Sequence, residues 1–214
     1  AWLKAHPVIR VGNEADYAPY AFYLNGQATG YSIDYIEILF ARLGIRAEYV
    51  RDSFGGLIDK VEQRKIDLLH TLFRYPADRE QFLNFTPAYK ASVNVIVTRR
   101  EEGMITAMAD LEGRKVAVVK GDASVALLKN EHPKVEILLV GDHESALKAV
   151  ALGQADATIN ELAVVNYLSR KLLLNNLHIA GELSPRQGTD YGYHLAVRKD
   201  WPELAALLNK AMAS

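Results

Sequence analysis

The most informative absence in this sequence is that of cysteine, of which there is none. A chain without thiols has no disulfide, no thiolate nucleophile and no zinc-thiolate site. An excess of one charge sign is missing too, because 25 Lys and Arg stand against 26 Asp and Glu, a formal net charge of -1. Nucleic-acid binders need clustered Lys and Arg to displace counterions. We therefore expect no nucleic-acid partner.

Long apolar runs are missing as well, although 50% of the 214 residues are hydrophobic. No stretch approaches the ~18 uninterrupted apolar residues that cross a bilayer as a helix. The length fits either one large domain or two small lobes. The sequence opens at Ala1 with no signal-peptide pattern and stops at Ser214 with no helix cap, so we expect a processed or excised piece of a longer protein.

The spacing of apolar residues predicts helices and strands that alternate along the chain. Ile33, Ile36 and Leu39 lie on one face of a helix, and Gly44 is the left-handed stop after it. Predicted strands cover residues 8–11, 45–50, 66–72, 93–98, 115–119, 135–140, 155–160 and 192–197. Predicted helices cover residues 32–43, 57–63, 122–130, 144–152, 161–173 and 202–213. Strands separated by helices indicate parallel sheets with helices on their faces, the α/β class.

One segment of the sequence has an echo 89 residues later. The matching patterns are Leu57-Ile58-x-x-Val61 followed by Asp67, and Ala146-Leu147-x-x-Val150 followed by Asp156. Either such a helix-turn-strand unit recurs by chance, as it does in many α/β proteins, or it marks two similar lobes. In the second case each lobe presents the loop after its strand, where open α/β sheets bind ligands. Two lobes that face each other would hold a site in the cleft between them.

Five motifs then follow one another in a recognisable order. They are Gly26-x-x-x-Gly30-Tyr31-x-x-Asp34-Tyr35, Phe54-Gly55-Gly56-Leu57-Ile58 through Asp67, Asp78-Arg79-x-x-x-Leu83-x-Phe85-Thr86-Pro87-x-Tyr89, Leu111-x-Gly113-x-x-Val116-Ala117-Val118 and Gly153-x-Ala155-Asp156-Ala157. Together they resemble the family 3 extracellular solute-binding proteins along the whole chain. The resemblance implies an α/β, two-lobed periplasmic-binding-protein-like fold, the type II Venus flytrap with two crossover strands. Lobe 1 would comprise residues 1–88 and 194–214, lobe 2 residues 94–188, and the hinge strands residues 89–93 and 189–193.

The two ends of the chain resemble a narrower group. The opening Trp2-Leu3-x-x-His6-Pro7 and the closing Asp200-x-Pro202-Glu203-Leu204 are similar to the flytrap sensor domains of bacterial two-component histidine kinases. This implies a periplasmic ligand-sensing domain whose parent is a homodimeric membrane kinase, anchored by transmembrane segments outside this sequence and acting on a response regulator. Similar domains also precede diguanylate cyclases. The alternative is the solute-binding receptor of an amino-acid ABC transporter.

The same resemblance assigns the main ligand contacts. In family members that bind amino acids, an Arg binds the ligand carboxylate and an acid after the Ala-Asp-Ala strand binds the ammonium; Arg79 and Glu161 match those positions. The chemistry is suitable, because a guanidinium presents a planar fork to a carboxylate, and a carboxylate accepts ammonium hydrogens. Alternatively, Arg79 pairs with a surface acid, and Glu161 only begins a helix, where the dipole favours an acid.

Two positions depart from the amino-acid-binding pattern. Arg74 stands where the family usually has a hydroxyl residue, and Leu72 replaces a small residue. A second guanidinium would recognise a dicarboxylate or another anion, or it would fill the pocket and exclude an amino acid. The expected ligand is therefore a small polar solute, an amino acid or a carboxylate.

Further candidates in the first lobe follow the ends of predicted strands. Glu14, Tyr17 and Tyr20 lie in the loop expected after the first strand. Tyr17 and Phe54 match positions where the family stacks aromatic rings on the ligand. Phe22, close by, is expected in the core.

In the second lobe, Lys120 and Asp122 join a strand to a helix N-terminus, whose free N–H groups favour an anion. Asn160 precedes Glu161 and is a further candidate contact. A ligand that touches both lobes would stabilise the closed state through its differential affinity, and closure would be the signal.

Signatures of catalysis and of metal binding are missing from the sequence. The six histidines form no His-x-x-x-His or Glu-x-x-His pair, and Gly-x-Ser-x-Gly is absent. We therefore predict no metal, no cofactor and no catalysis by this domain, so that any enzymatic activity belongs to the parent kinase. A remote alternative is a cyclohexadienyl-dehydratase-like enzyme that uses Lys120 and Glu161.

Overall fold

The computed structural model describes residues 2–75, 77–102, 105–183 and 192–213. The strands are β1 (Val8–Glu14), β2 (Asp16–Tyr17), β3 (Ala21–Leu24), β4 (Gln27–Thr29), β5 (Arg46–Asp52), β6 (Leu68–Leu72), β7 (Leu83–Phe85), β8 (Lys90–Ala91), β9 (Asn94–Arg99), β10 (Lys115–Val119), β11 (Glu136–Val140), β12 (Ala157–Glu161), β13 (Leu177–Glu182) and β14 (Gly192–Arg198). The helices are α1 (Trp2–Ala5), α2 (Tyr31–Leu43), α3 (Phe54–Glu62), α4 (Ala123–Glu131), α5 (His143–Ala151), α6 (Leu162–Lys171) and α7 (Pro202–Met212). No helix within these ranges is long and apolar enough to cross a membrane.

The chain divides into two compact units. Unit 1 consists of Ala1–Ala91 with Asp190–Ser214, and unit 2 consists of Ser92–Thr189. Each unit contains both helices and a sheet, as the α/β class requires. The predicted hinge strands at residues 89–93 and 189–193 stay a prediction, and residues 189–191 lie outside the described part of the chain.

Unit 1 is built on a sheet with the order β5-β1-β6-β14-β7, and β8 pairs with β14. The neighbours β5, β1 and β6 run parallel, whereas β14 is antiparallel to β6 and to β7. Helices α2 and α7 cover one face with an apolar core that includes Ile9, Phe40, Leu68, Leu195 and Leu204. The positive φ of 68° at Gly44 ends α2, as the sequence predicts.

Unit 2 has its own sheet, with the order β11-β10-β12-β9-β13. Strand β10 is parallel to β11 and β12, and β9 is antiparallel to both of its neighbours. Ile96, Val116, Leu128 and Ile159 belong to the core on one face of this sheet. The carboxylates of Asp122 and Asp142 cap α4 and α5, which fixes the starts of these two helices.

The prediction of parallel sheets is correct for only part of each sheet, because β14 and β9 run antiparallel to their neighbours and both sheets are mixed. A parallel neighbour needs a long crossover connection, usually a helix. Strands β9 and β14 are each the first strand after the chain passes from one unit to the other, so neither enters its sheet through such a crossover. The pattern of apolar residues predicts where a strand lies, but not whether it runs parallel or antiparallel to its neighbours.

The 89-residue echo is a structural repeat. Helix α3 and strand β6 recur as α5 and β12 with the same lengths and the same offset. The backbone N–H of Asp67 donates to the carbonyl of Arg10 (2.8 Å), and its carboxylate accepts the N–H of Arg10 (2.9 Å). Asp156 makes the same two contacts with Lys115, each at 2.8 Å. Each aspartate therefore joins the start of the strand that follows it to a parallel neighbour, β1 in unit 1 and β10 in unit 2.

The sequence pattern does not predict the small sheet β2-β3-β4 in unit 1. Its strands are two to four residues long, too short to show a period. Phe22, expected in the core, lies on β3 and is only half-buried, because a sheet this narrow leaves one face open.

Candidate functional site

The candidate residues of unit 1 all lie in segments that leave the same edge of the main sheet. Glu14 ends β1 opposite Asp52 of the parallel strand β5. Tyr17 and Phe54 follow these two strands, and Arg74 and Arg79 follow β6. Carboxyl ends of parallel strands are where open α/β sheets bind ligands. The sheet thus brings the polar and aromatic candidates of this unit to one edge.

Arg79 is the most buried cation among the candidates, with 4% of its surface exposed. It sits in the 3-10 helix Ala77–Gln81, where its Nη1 donates to the carbonyls of Phe73 and Tyr75, both at 2.9 Å. Its guanidinium carbon is 5.7 Å from the centroid of the Phe54 ring. Two carbonyls and one ring face therefore hold the guanidinium in place. Out of water, such a charge interacts strongly with an anion.

Arg74 has a different environment, although it is only five residues away. Its Nε donates to the carboxylate of Glu80, and the side chains are 54% and 43% exposed. An exposed ion pair of this kind contributes little to stability. Of the two guanidiniums, only that of Arg79 is buried.

Tyr17 lies in an aromatic cluster that we call the tyrosine cage, formed by Tyr17, Tyr20, Phe73 and Tyr193. The hydroxyl of Tyr17 is 2.7 Å from that of Tyr193. The ring of Tyr193 stacks on Phe73 at 5.5 Å between centroids and meets Tyr20 edge to face at 5.2 Å. Sequence reasoning missed Tyr193 and Phe73, because they meet Tyr17 only in the folded chain. The available signal was their position, since Phe73 directly follows β6 and Tyr193 lies within β14.

The end of β6 is held in an unusual backbone conformation. Thr71 has φ 56°, which a β-branched residue rarely adopts. Its N–H donates to the hydroxyl of Tyr89 (3.3 Å), which is also 2.8 Å from the hydroxyl of Ser32. Burial raises the pKa of Tyr89, so this hydroxyl stays protonated. Strained backbone of this kind clusters at binding sites, and here it directs the chain into the segment that carries Arg79.

The candidates of unit 2 also share one sheet edge, at the carboxyl ends of the parallel strands β10 and β12. Lys120 is exposed and Asp122 is half-buried. Asp122 caps α4 by accepting the N–H of Ser124 at 2.7 Å. The carboxylate of Asp122 therefore caps a helix, and it is also the group that the sequence predicts as a ligand contact.

Glu161 and Asn160 end β12 and are both buried. Glu161 occupies the N-cap of α6, where its carboxylate accepts the N–H groups of Ala163 (2.6 Å) and Val164 (3.1 Å). This is the helix-starting role that the sequence left open as an alternative. The side-chain oxygen of Asn160 accepts the N–H of Glu161 at 2.9 Å, whereas its side-chain nitrogen has no hydrogen-bond partner in the described part of the chain. A buried donor of this kind needs an explanation, and a bound polar solute is one.

Nothing in the described ranges resembles a metal site, since no group of three or more His, Asp or Glu side chains lies close together there. His70 is buried in β6, and burial lowers its pKa to about 4. This histidine is therefore neutral at physiological pH.

Comparison with known proteins gives a consistent result. The family described as bacterial extracellular solute-binding proteins, family 3, matches residues 9–214. The virulence sensor protein BvgS of Bordetella pertussis is 31% identical over 217 residues, which cover 100% of this chain and 17% of BvgS. The chain thus spans less than a fifth of the length of this curated relative.

Two solved structures carry the same fold. The B. pertussis BvgS periplasmic domain matches with a TM-score of 0.86 and 30% identity, over 99% of this chain and 41% of that chain. An ancestral arginine-binding protein bound to arginine matches with a TM-score of 0.86 and 26% identity, over 97% of this chain and 92% of that chain. These matches confirm the periplasmic-binding-protein-like fold.

Proposed function

Because the chain belongs to the family 3 bacterial extracellular solute-binding proteins, we propose that it is the periplasmic ligand-sensing domain of a membrane-bound sensor histidine kinase. The observation that carries this proposal is the similarity to BvgS over the full length of the chain. The ends of the chain support it, since they resemble kinase sensor domains. Kinase activity, a homodimeric state and a response regulator as partner belong to the proposed parent protein.

The proposed ligand is a small polar solute with a carboxylate, such as an amino acid. In unit 1, Arg79 binds the carboxylate and Phe54 lies against the guanidinium, with Glu14, Tyr17 and Arg74 as neighbouring candidates. The burial of Arg79 supports this role, because a desolvated guanidinium binds a carboxylate strongly.

In unit 2, the proposed contacts are Lys120, Asp122, Asn160 and Glu161. The buried side-chain nitrogen of Asn160 supports a role for this group, since a solute oxygen would supply its missing acceptor. Binding then shifts the domain between two conformations by its differential affinity for them, and the shift is the signal.

Substitution of Arg79 tests the site. A solute at a hundredfold excess over its Kd stabilises a domain by about 2.7 kcal/mol. We expect a thermal-shift screen with amino acids, dicarboxylates and small anions to find such a solute, and Arg79→Ala to abolish its effect. Arg114→Ala is the matched control, because it removes the same charge from a partly exposed ion pair with Glu102, at the opposite end of β10 from Lys120. A solute that raises the melting temperature of wild type and Arg79→Ala equally contradicts the assignment.

The parent is tested in the full-length membrane protein. We expect the solute found in the screen to change the rate of autophosphorylation, and Arg79→Ala to remove that response while the basal rate persists. A full-length protein without kinase activity contradicts the sensor proposal.

A free solute-binding receptor is the second candidate. The match to an arginine-binding protein favours it, because the match covers 92% of that solved chain. In that case we expect deletion of the gene to abolish uptake of the solute and to leave autophosphorylation of histidine kinases in the cell unchanged.

A further inference from the structure

A lysine of the chain itself occupies the tyrosine cage. The Nζ of Lys90 lies 4.9 Å from the ring centroid of Tyr20 and 5.9 Å from that of Tyr193. Both distances fall within the ~6 Å range of cation–π attraction. The rings are 4% and 0% exposed, whereas Lys90 is half-buried. The ammonium therefore contacts buried ring faces from a position that solvent reaches.

The backbone places Lys90 opposite the cage. Lys90 and Tyr193 are paired residues of the antiparallel strands β8 and β14. The Nζ of Lys90 also donates to the carbonyl of Ala91 at 2.9 Å, which keeps the ammonium close to its own strand. On the other side, the N–H of Ser32 holds the carbonyl of Tyr20 at 3.0 Å. Backbone contacts thus fix both Lys90 and the residues that carry the rings.

The cage adjoins the residues proposed to bind a solute. Tyr17 is itself part of the cage, through the contact between its hydroxyl and that of Tyr193. Phe73 stacks on Tyr193, and its carbonyl accepts a hydrogen bond from Arg79. The ring of Phe73 therefore contacts the cage, and its backbone carbonyl contacts Arg79, the proposed carboxylate contact.

We propose that Lys90 is a specificity-determining residue, a tethered cation that fills the place a cationic side chain of a solute would take. Aromatic rings of this kind recognise ammonium and guanidinium groups. With Lys90 in place, its volume and charge exclude a second cation, so the domain favours solutes with neutral or anionic side chains. This inference rests on the proposed solute-binding function.

The cage itself is tested by chemical rescue, which needs no natural solute. Lys90→Ala removes the equivalent of an n-propylammonium ion, so we expect n-propylammonium chloride to raise the melting temperature of this variant relative to equimolar sodium chloride. The wild type should show no such difference. Lys199→Ala is the control, because it also removes a lysine, but one whose ammonium binds backbone carbonyls. The Nζ of Lys199 donates to the carbonyls of Glu80 (2.8 Å) and Leu83 (3.4 Å). Should Lys90→Ala fail to fold, Lys90→Thr replaces it, since a β-branched residue suits a strand.

The specificity role is tested with L-arginine as probe. We expect calorimetry to give at least tenfold tighter arginine binding for Lys90→Ala than for wild type, and Arg79→Ala added to Lys90→Ala to remove that gain. Absence of a specific n-propylammonium effect overturns the cage. Rescue without any gain in arginine binding overturns the specificity role. Failure of the proposed function is recognised separately, when Arg79→Ala leaves solute stabilisation intact in the protein that retains Lys90.

Discussion

At the scale of the residue, burial separates candidates that the sequence treats alike. Arg74 and Arg79 have the same charge and lie in one irregular segment. The structure pairs the first with Glu80 at the surface and encloses the second between two carbonyls and a ring. Motif spacing names both residues, because it records positions along the chain. It does not record which side chain turns inward where no regular period exists.

His70 gives a pH-dependent stability that can be measured. Burial lowers its folded-state pKa to about 4, whereas an unfolded histidine titrates near 6.5. Between these values the unfolded chain binds more protons, so stability falls as the pH falls, by roughly 3 kcal/mol in total. We expect urea unfolding at pH 7, 6, 5 and 4.5 to follow this slope, and His70→Gln to flatten it.

Other ionisable groups change the stability of the protein in different pH ranges. A hydrogen bond from Lys60 holds the pKa of Asp52 low, and one from Arg198 does the same for Asp200. Stability from such carboxylates is present at neutral pH and is lost only as the pH falls through their lowered pKa values. An equal slope above pH 4.5 in His70→Gln and wild type would contradict the assignment of the pH dependence to His70.

At the scale of the element, the sequence predicts those helices and strands that carry a period and a cap. The start of α4 at the Asp122 cap and the end of α2 at Gly44 agree with the structure. The small sheet β2-β3-β4 is missed because its strands have only two to four residues, and β13 is missed because it includes Gly181 and Glu182, residue types that strands use rarely. Among the candidate contacts, the motifs predict Arg79 and Phe54. Tyr193 and Lys90 become neighbours only through the pairing of β8 and β14.

The repeated aspartates let the two copies of one element be compared. Burial alone would raise the pKa of Asp67, but hydrogen bonds from Arg10 and Arg198 outweigh it and lower the pKa. Its side chain is 2% exposed, whereas that of Asp156 is 31% exposed with Arg99 at 3.9 Å. We expect Asp67→Asn to cost roughly 2 to 3 kcal/mol, because it leaves two guanidiniums without their buried partner.

The matched variant in unit 2 is Asp156→Asn, which we expect to cost about 1 kcal/mol or less, because its ion pair is partly exposed. Both variants keep a side-chain oxygen for the backbone N–H of Arg10 or Lys115. The difference between their urea midpoints therefore measures how much more the loss of a buried charge costs than the loss of a partly exposed one. Equal midpoints for both variants would contradict the argument that burial separates the two copies.

At the scale of the whole molecule, the order of the chain makes the two units unequal in how they fold. Unit 2 is one continuous segment that contains its full sheet, β9 to β13, and its own core. Unit 1 is discontinuous, since β14 lies between β6 and β7 in the sheet but comes from the end of the chain. Helix α7 completes the unit 1 core with Leu204 and Leu208.

This asymmetry predicts the behaviour of fragments. We expect residues 92–189 alone to unfold in one cooperative thermal transition with a well-dispersed amide spectrum, because a domain with its own core folds independently. Residues 1–91 alone should not, because they lack a central strand and part of the core. A short Gly/Ser linker from Ala91 to Asp190 should restore folding, because Ala91 and Gly192 are paired neighbours in the sheet. Cooperative unfolding of residues 1–91 without the C-terminal segment would contradict the central role of β14.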